Sequence, residues 1–169
     1  MLHFVFDLDY TLYQTQGERF FDYSQLKENK YLDFLLGSIP FNKIIFTNGT
    51  YSHALTCLEI MKLKHHFPNH KIVARDTIND LKPNIESFEK FKKHQDIKNN
   101  DKVIFFEDSV ENLLASKKID WITIYIGPHN VSQFKSINKQ FTTIEESLEF
   151  IIEKNNIVTR RLQYQKDHS

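Results

Sequence analysis

The chain of 169 residues is long enough for one domain with a proper core, and 15 Phe and 7 Tyr give that core ample bulk. Its 22 basic and 22 acidic side chains cancel, so no global field draws it to nucleic acid, membrane or anionic substrate. Any grip on phosphate has to be local. A lone cysteine, Cys57, excludes a disulfide framework and a cysteine-rich zinc site, and no apolar run reaches membrane-spanning length. With no basic, then apolar, leader pattern at its start, the chain is expected in a reducing cytoplasmic or nuclear setting.

Leu2 to Phe6 has the length and aromatic content of a buried strand, and it ends abruptly in Asp7 and Asp9, followed by Thr11. Two acids two residues apart at a strand end are expected to point the same way. Ligand sites of open α/β sheets lie at such carboxyl ends. Like charges held together there are costly unless a cation or a shared proton relieves them. Residues 14–23 are polar and aromatic without a clear period. Residues 24–36, opening on Ser24 as N-cap, place Leu26, Tyr31, Phe34 and Leu35 on one helical face.

The pattern then alternates. Residues 43–47 read as a strand ending in Thr47-Asn48-Gly49, and 52–63 as a helix with Leu55, Leu58 and Met61 at helical spacing. A short strand at 71–74 precedes Lys82-Pro83 and a helix over 85–94. Residues 102–106 form a strand that runs into Glu107-Asp108-Ser109; a helix at 110–118, a strand at 121–126 and a helix at 144–155 complete the series. Strand alternating with helix predicts crossover units and a parallel sheet, here of five strands flanked by helices in a three-layer, Rossmann-like α/β fold. Residues 1–158 are read as a single domain and 159–169 as a polar tail.

Each chemical fragment has an ordinary reading of its own. Thr-Asn-Gly makes turns, a proline at the first helical position is common, and acids suit a helix start. All four fragments in this order, at the expected places of an alternating chain, are a specific signal. On these residues the chain resembles the haloacid dehalogenase superfamily of phosphohydrolases. Asp7-Leu8-Asp9-Tyr10-Thr11-Leu12-Tyr13 matches its first motif, Phe46-Thr47-Asn48-Gly49 the second, Lys82-Pro83 the third and Phe106-Glu107-Asp108-Ser109 the fourth. Leu12-Tyr13, His53-Ala54 and the run from Glu107 to Asn112 are most similar to the pyrimidine 5′-nucleotidase-like members.

The resemblance implies a Mg²⁺-dependent phosphomonoesterase acting through an aspartyl-phosphate. Asp7 would be the nucleophile, splitting one difficult hydrolysis into two steps, and Asp9 the acid and base. The family's dehalogenases lack that second acid. Asp7, Asp108 and the backbone carbonyl of Asp9 would hold the Mg²⁺, with Glu107 acting from behind the ligands. Thr47 and the Asn48 amide would hold phosphate oxygens, and Lys82 would offset the crowded negative charge. His53 reads as a packing or capping residue. His65, His66 and His70 lack ligand spacing, Cys57 falls inside a helix, and Tyr13, Phe20, Phe21 and Tyr23 read as packing that could also line an entrance. Arg160-Arg161 is too short a basic stretch to imply nucleic acid.

One departure matters. Small-molecule members insert a helical cap between the first two motifs, but only 35 residues, Leu12 to Phe46, are available here, and they must also supply a helix and a strand. The site is therefore expected to be open, covered at most by a flap at 14–23 or by the partner in a homodimer; otherwise the protein is a monomer. The substrate is then a nucleotide 5′-monophosphate or another small phosphate ester, or else a macromolecule such as a phosphoprotein or a phosphorylated nucleic-acid end. A mutase would use the same motifs. A non-catalytic binding module of the same fold is the remaining reading, and it has no need of Asp9.

Overall fold

Leu2–Phe6 (β1) is apolar on both faces, so it has to lie inside a sheet covered on both sides. The computed structural model, which describes residues 1–15 and 22–155, places it there. Phe4 and Phe6 point into one core and Val5 into the other, and all three are fully buried. β1 pairs in parallel with Asn42–Phe46 (β2) on one side and Lys102–Glu107 (β4) on the other. Ile72–Val73 (β3) extends the sheet beyond β2, and Ile122–Ile126 (β5) beyond β4. The order is β3-β2-β1-β4-β5-β6, every pair parallel, which brings the carboxyl ends of β1, β2 and β4 side by side.

Six strands are present rather than the expected five. The sixth, Lys139–Phe141 (β6), pairs with β5 at the sheet edge. Its sequence, Lys-Gln-Phe, has neither an apolar run nor an alternating stretch long enough to read, because an edge strand need not be buried.

One core lies under Lys30–Gly37 (α1), Tyr51–Ile60 (α2) and Ile144–Lys154 (α6). The other lies under Ile85–His94 (α4) and Val110–Lys117 (α5). Between β3 and α4 sits one further short helix, Arg75–Ile78 (α3), which ends where Asn79 turns left-handed at φ 53°. Aromatic packing unites the sheet with its helices. Phe6 stacks on Phe106 at 4.7 Å, Phe46 on Phe91 at 4.4 Å, and Trp121 meets Phe88, Phe91 and Phe105 edge-on. Such pairs add about 0.5–1.5 kcal/mol each beyond their buried area.

The first helix differs from its sequence reading. Ser24 does not cap it, because its N–H and hydroxyl both donate to Asp22 within the 3-10 turn Tyr23–Gln25. Leu26 is extended, and α1 begins only after Asn29, whose side-chain oxygen accepts from Leu32 N at 2.9 Å. Among the described residues, nothing else separates β1 from β2, and α1 buries Leu32, Leu35 and Leu36 in the core rather than standing over the site. The expected absence of a helical cap therefore holds for that interval. The tail at 159–169 and the domain boundary at 158 lie outside the described residues. Among the described residues, no helix is long and apolar enough to cross a membrane.

Candidate active site

Strand geometry delivers the first acid. Asp7 N donates to Phe106 O at 2.9 Å, prolonging the ladder by one residue, and the Asp7 side chain falls on the Val5 side of the sheet. Asp9 does not follow by alternation. The chain turns at Leu8, whose carbonyl accepts from Thr11 N and Leu12 N, and Tyr10 takes a left-handed φ of 61°. The turn separates the two carboxylates into adjacent pockets.

In the first pocket, Lys82 is wholly buried between two acids. Its Nζ lies 2.9 Å from Asp7 Oδ1 and 2.8 Å from Glu107 Oε2, donates also to Phe46 O at 2.7 Å, and lies over the Phe46 and Phe105 rings. The Thr11 hydroxyl is 3.1 Å from both Asp7 Oδ2 and Asp108 Oδ1, so it bridges the ends of β1 and β4. Asp7 and Asp108, predicted to share a site, are brought together. Glu107 turns inward. Oε1 accepts from the N–H groups of Asp108 and Ser109, each at 3.0 Å, while Oε2 accepts from Lys82 and, at 3.1 Å, from Asn112.

The charges follow from this wiring. Burial, then the charge of Glu107, pushes the Asp7 carboxyl well up, against the pull of Lys82. Burial opposes ionisation of Glu107 too, but Lys82 and the facing N–H groups outweigh it and hold its carboxyl low. Burial followed by Glu107 pushes Asp108 up to about 6. Lys82 is penalised by burial but held charged by Asp7 and Glu107.

Asp7, Glu107 and Asp108 offer carboxylate oxygens within 4.8 Å of one another, but the Lys82 ammonium pairs with Asp7 and Glu107 and leaves Asp108 without it. With all three ionised two negative charges would be left over, a repulsion that adds to burial in pushing Asp7 and Asp108 up, and a divalent cation is the ion that would relieve it. Glu107 already meets four donors, so Asp7 and Asp108 are the residues that would hold it. An all-oxygen pair fits Mg²⁺, which takes one or two carboxylates and completes its shell with waters and phosphate. The Asp9 carboxylate stands apart from this group, with His53 and Cys57.

In the second pocket, Asp9 Oδ1 is 2.7 Å from His53 Nε2 and also accepts from the Tyr13 hydroxyl. His53 Nδ1 lies 2.8 Å from the Tyr23 hydroxyl, and Cys57 Sγ is 3.6 Å from Nε2. Burial and then Asp9 push the Cys57 thiol up to about 12, so it stays protonated at neutral pH. His53 is thus more than the packing or capping residue read from sequence, and Tyr13 is more than an entrance aromatic. Their signals were available: Tyr13 stands four residues after Asp9 in a tight turn, and His53 is three past Thr50, which caps α2. Tyr23 faces its own chain's His53. Phe20 and Phe21 lie outside the described residues, as does most of the supposed flap.

The β2 end supplies the third side. Thr47 is buried, and its hydroxyl oxygen accepts from Gly49 N at 3.0 Å, leaving its hydrogen to donate. The Asn48 side chain turns to the residue that carries the buried ammonium. Its side-chain amide is spent on Lys82, donating to Lys82 O and accepting from Lys82 N, both at 2.8 Å. That side chain therefore positions Lys82, ahead of the cis Lys82–Pro83 bond. Gly49 is required by close approach: a Cβ would lie 3.0 Å from His53 Cδ2, 3.3 Å from Thr47 Oγ1 and 3.4 Å from Asp9 Oδ2.

A parallel sheet with an acid cluster around one buried lysine at the carboxyl ends of its central strands places the protein among the doubly wound α/β domains that carry their site at the topological switch point. The chain belongs to the haloacid dehalogenase-like hydrolases, whose family model matches residues 40–126, a span that holds Thr47, Lys82 and Asp108 and begins after Asp7 and Asp9. No curated protein sequence matches the chain. Among solved structures it is similar to a putative beta-phosphoglucomutase from Thermotoga maritima, with TM-score 0.70 and 17% identity over 90% of this chain and 99% of that one. It is also similar to a HAD phosphatase from Thermococcus onnurineus, with TM-score 0.57 and 18% identity over 72% and 55%. The L-2-haloacid dehalogenase from Xanthobacter autotrophicus, solved with chloropropionic acid covalently bound, gives TM-score 0.61 and 10% identity over 76% and 62%. The chain spans about half the length of the first dehalogenase and phosphatase structures it matches. At these identities the likeness is one of fold.

Proposed function

We propose that this protein is a Mg²⁺-dependent phosphomonoesterase. The observation that carries the reading is the second acid, Asp9, kept beside the Asp7–Lys82 centre in a pocket of its own by His53 and Tyr13. A halide leaves without a proton, whereas an alkoxide needs one, so an acid held there favours phosphate-ester chemistry over dehalogenation. A solved phosphatase among the structural neighbours accords with this reading.

The Asp7 carboxylate attacks phosphorus, forming an acyl-phosphate bond as the ester P–O bond breaks, and Asp9 gives its proton to the departing oxygen. Asp9, now ionised, takes a proton from water, whose oxygen attacks phosphorus and releases phosphate and Asp7. Thr47 donates its hydroxyl hydrogen to a phosphate oxygen, and Lys82 orients the nucleophile and pulls it toward its ionised form, a pull that a bound cation would add to. Bound Mg²⁺ would neutralise a phosphate oxygen and the Asp7–Asp108 pair.

Small phosphate esters, including nucleotide 5′-monophosphates, are the first substrate class. A macromolecular phosphate is the second, favoured by the open interval between β1 and β2. The test is phosphate release from p-nitrophenyl phosphate and from a panel of nucleotides, sugar phosphates, phosphopeptides and end-phosphorylated oligonucleotides, with Mg²⁺ and with EDTA. Asp7→Asn is expected to abolish turnover with the fold intact, and Asp9→Asn to lower it by roughly 10²–10⁴-fold. Wild-type turnover in Asp7→Asn, or full activity in EDTA, would refute the mechanism.

A further inference from the structure

On the α1 side of the molecule a second set of metal-competent side chains converges, and the catalytic machinery makes no use of it. His65 Nε2 lies 2.8 Å and His66 Nε2 2.6 Å from one atom, Asp33 Oδ1. Asp33 comes from α1, while the histidines come from the 3-10 turn Lys64–His66 that follows α2. Sequence alone does not unite them, since adjacent histidines have no partner at ligand spacing. The fold supplies that partner from 32 residues earlier.

Firm elements carry the cluster. Leu32, beside Asp33, and Leu63 and Phe67, on either side of the histidine pair, are fully buried. His66 is nearly buried, its side chain 10% exposed, and its ring meets Phe67 edge-on, while His65 at 62% and Asp33 at 41% reach solvent. Burial holds the His66 imidazole below its ordinary value. Lys43, the nearby cation, directs its ammonium to the carbonyls of Ile39 and Phe41.

We propose that Asp33, His65 and His66 form a surface binding site for a divalent ion of the zinc type, distinct from the Mg²⁺ centre at Asp7 and Asp108. Two imidazoles and one carboxylate suit Zn²⁺ and its neighbours and are poor ligands for Mg²⁺. Metal–ligand bonds of about 2.0–2.2 Å set neighbouring donor atoms of a tetrahedron about 3.3 Å apart. The observed contacts are closer, so Asp33 and His65 would have to back off by about 0.5–0.7 Å, which side chains in solvent do by small rotations. Three protein ligands leave the fourth position to water. The bound ion would tie the turn after α2 to α1.

The experiment is Zn²⁺ binding by isothermal titration calorimetry to the full chain in saturating Mg²⁺, comparing wild type with Asp33→Asn and His65→Ala. Wild type is expected to bind one more equivalent than Asp33→Asn, and His65→Ala to bind at this site at least about tenfold more weakly. His53→Asn, in the Asp9 pocket, is expected to leave that difference unchanged. Co²⁺ should give a visible d–d spectrum without a thiolate charge-transfer band, and Asp33→Asn should remove it. Because His65 is exposed, its variant tests the site without threatening the fold. Identical binding in wild type, Asp33→Asn and His65→Ala would overturn the proposal, as would a difference that vanishes in His53→Asn.

Discussion

The ammonium of Lys82 touches Asp7, Glu107 and the Phe46 carbonyl and has no contact with water, so it is the counter-charge for two acids at once. Lys82→Met keeps the volume and strands both carboxylates, a change that costs about 3–5 kcal/mol. The pH dependence has a definite sign. In the wild type Glu107 is held below its ordinary value, so its contribution is present above the unfolded carboxylate range and lost as pH falls through the folded one. Without Lys82 both acids prefer to be neutral, and the penalty eases on acidification. Urea unfolding at pH 5 and pH 8 should therefore show a smaller gap between variant and wild type at pH 5, and an equal gap would contradict the wiring. Glu107 and Asp108 separate in the same way. Glu107→Gln sets an NH₂ group against donors and should lower stability while leaving the Mg²⁺ requirement near normal. Asp108→Ala should leave stability nearly intact and raise the Mg²⁺ concentration for half-maximal phosphate release. The opposite pattern would exchange their roles.

Elements bring these residues together, and here the sequence was legible to different depths. The strands β1, β2, β4 and β5 and helix α4 could be read because burial on both sheet faces forces apolar runs, and because Phe88 and Phe91 repeat at helical spacing. Asp7, Thr47 and Asp108 could be read because they sit where those runs stop, and Lys82 because a Lys-Pro pair stands just ahead of α4. What could not be read depends on contacts distant in sequence. The start of α1 was set by Asn29, which also donates to Glu145 on α6, and no local signal ranks it above Ser24. The turn of Asn48 toward Lys82 crosses 34 residues. The Asp9–His53 contact crosses 44. That contact rests on one helix end, since the Thr50 hydroxyl accepts from His53 N at 3.2 Å and so fixes both the start of α2 and the place of His53. Thr50→Ala should cost about 1 kcal/mol in urea unfolding and lower phosphatase turnover besides, while Thr50→Ser should restore both. A loss of stability with turnover untouched would mean that His53 does not depend on the cap.

At the scale of the whole molecule, a three-layer fold closes the site from below and leaves its upper side to whatever stands between β1 and β2. Among the described residues that is one 3-10 turn and α1, which is committed to the core. The rim is nonetheless not polar throughout. Tyr23, 39% exposed, reaches His53 there with its hydroxyl. Such a rim can meet a broad partner surface, but it lacks the facing walls that read a base, because discrimination needs polar groups on several sides of a desolvated ligand. With a net charge of zero, there is no long-range steering to compensate. Free mononucleotides should therefore show high KM and little selectivity among bases, and a larger phosphorylated substrate, bound through contacts remote from the phosphate, should show higher kcat/KM. A homodimer that walls the site with its partner would reverse this, so the kinetics belong beside light scattering on the same sample. A monomer with poor, unselective nucleotide turnover is the expected result. A monomer with efficient turnover confined to pyrimidine 5′-monophosphates would overturn the open-site argument, because a single chain would then have built the walls itself.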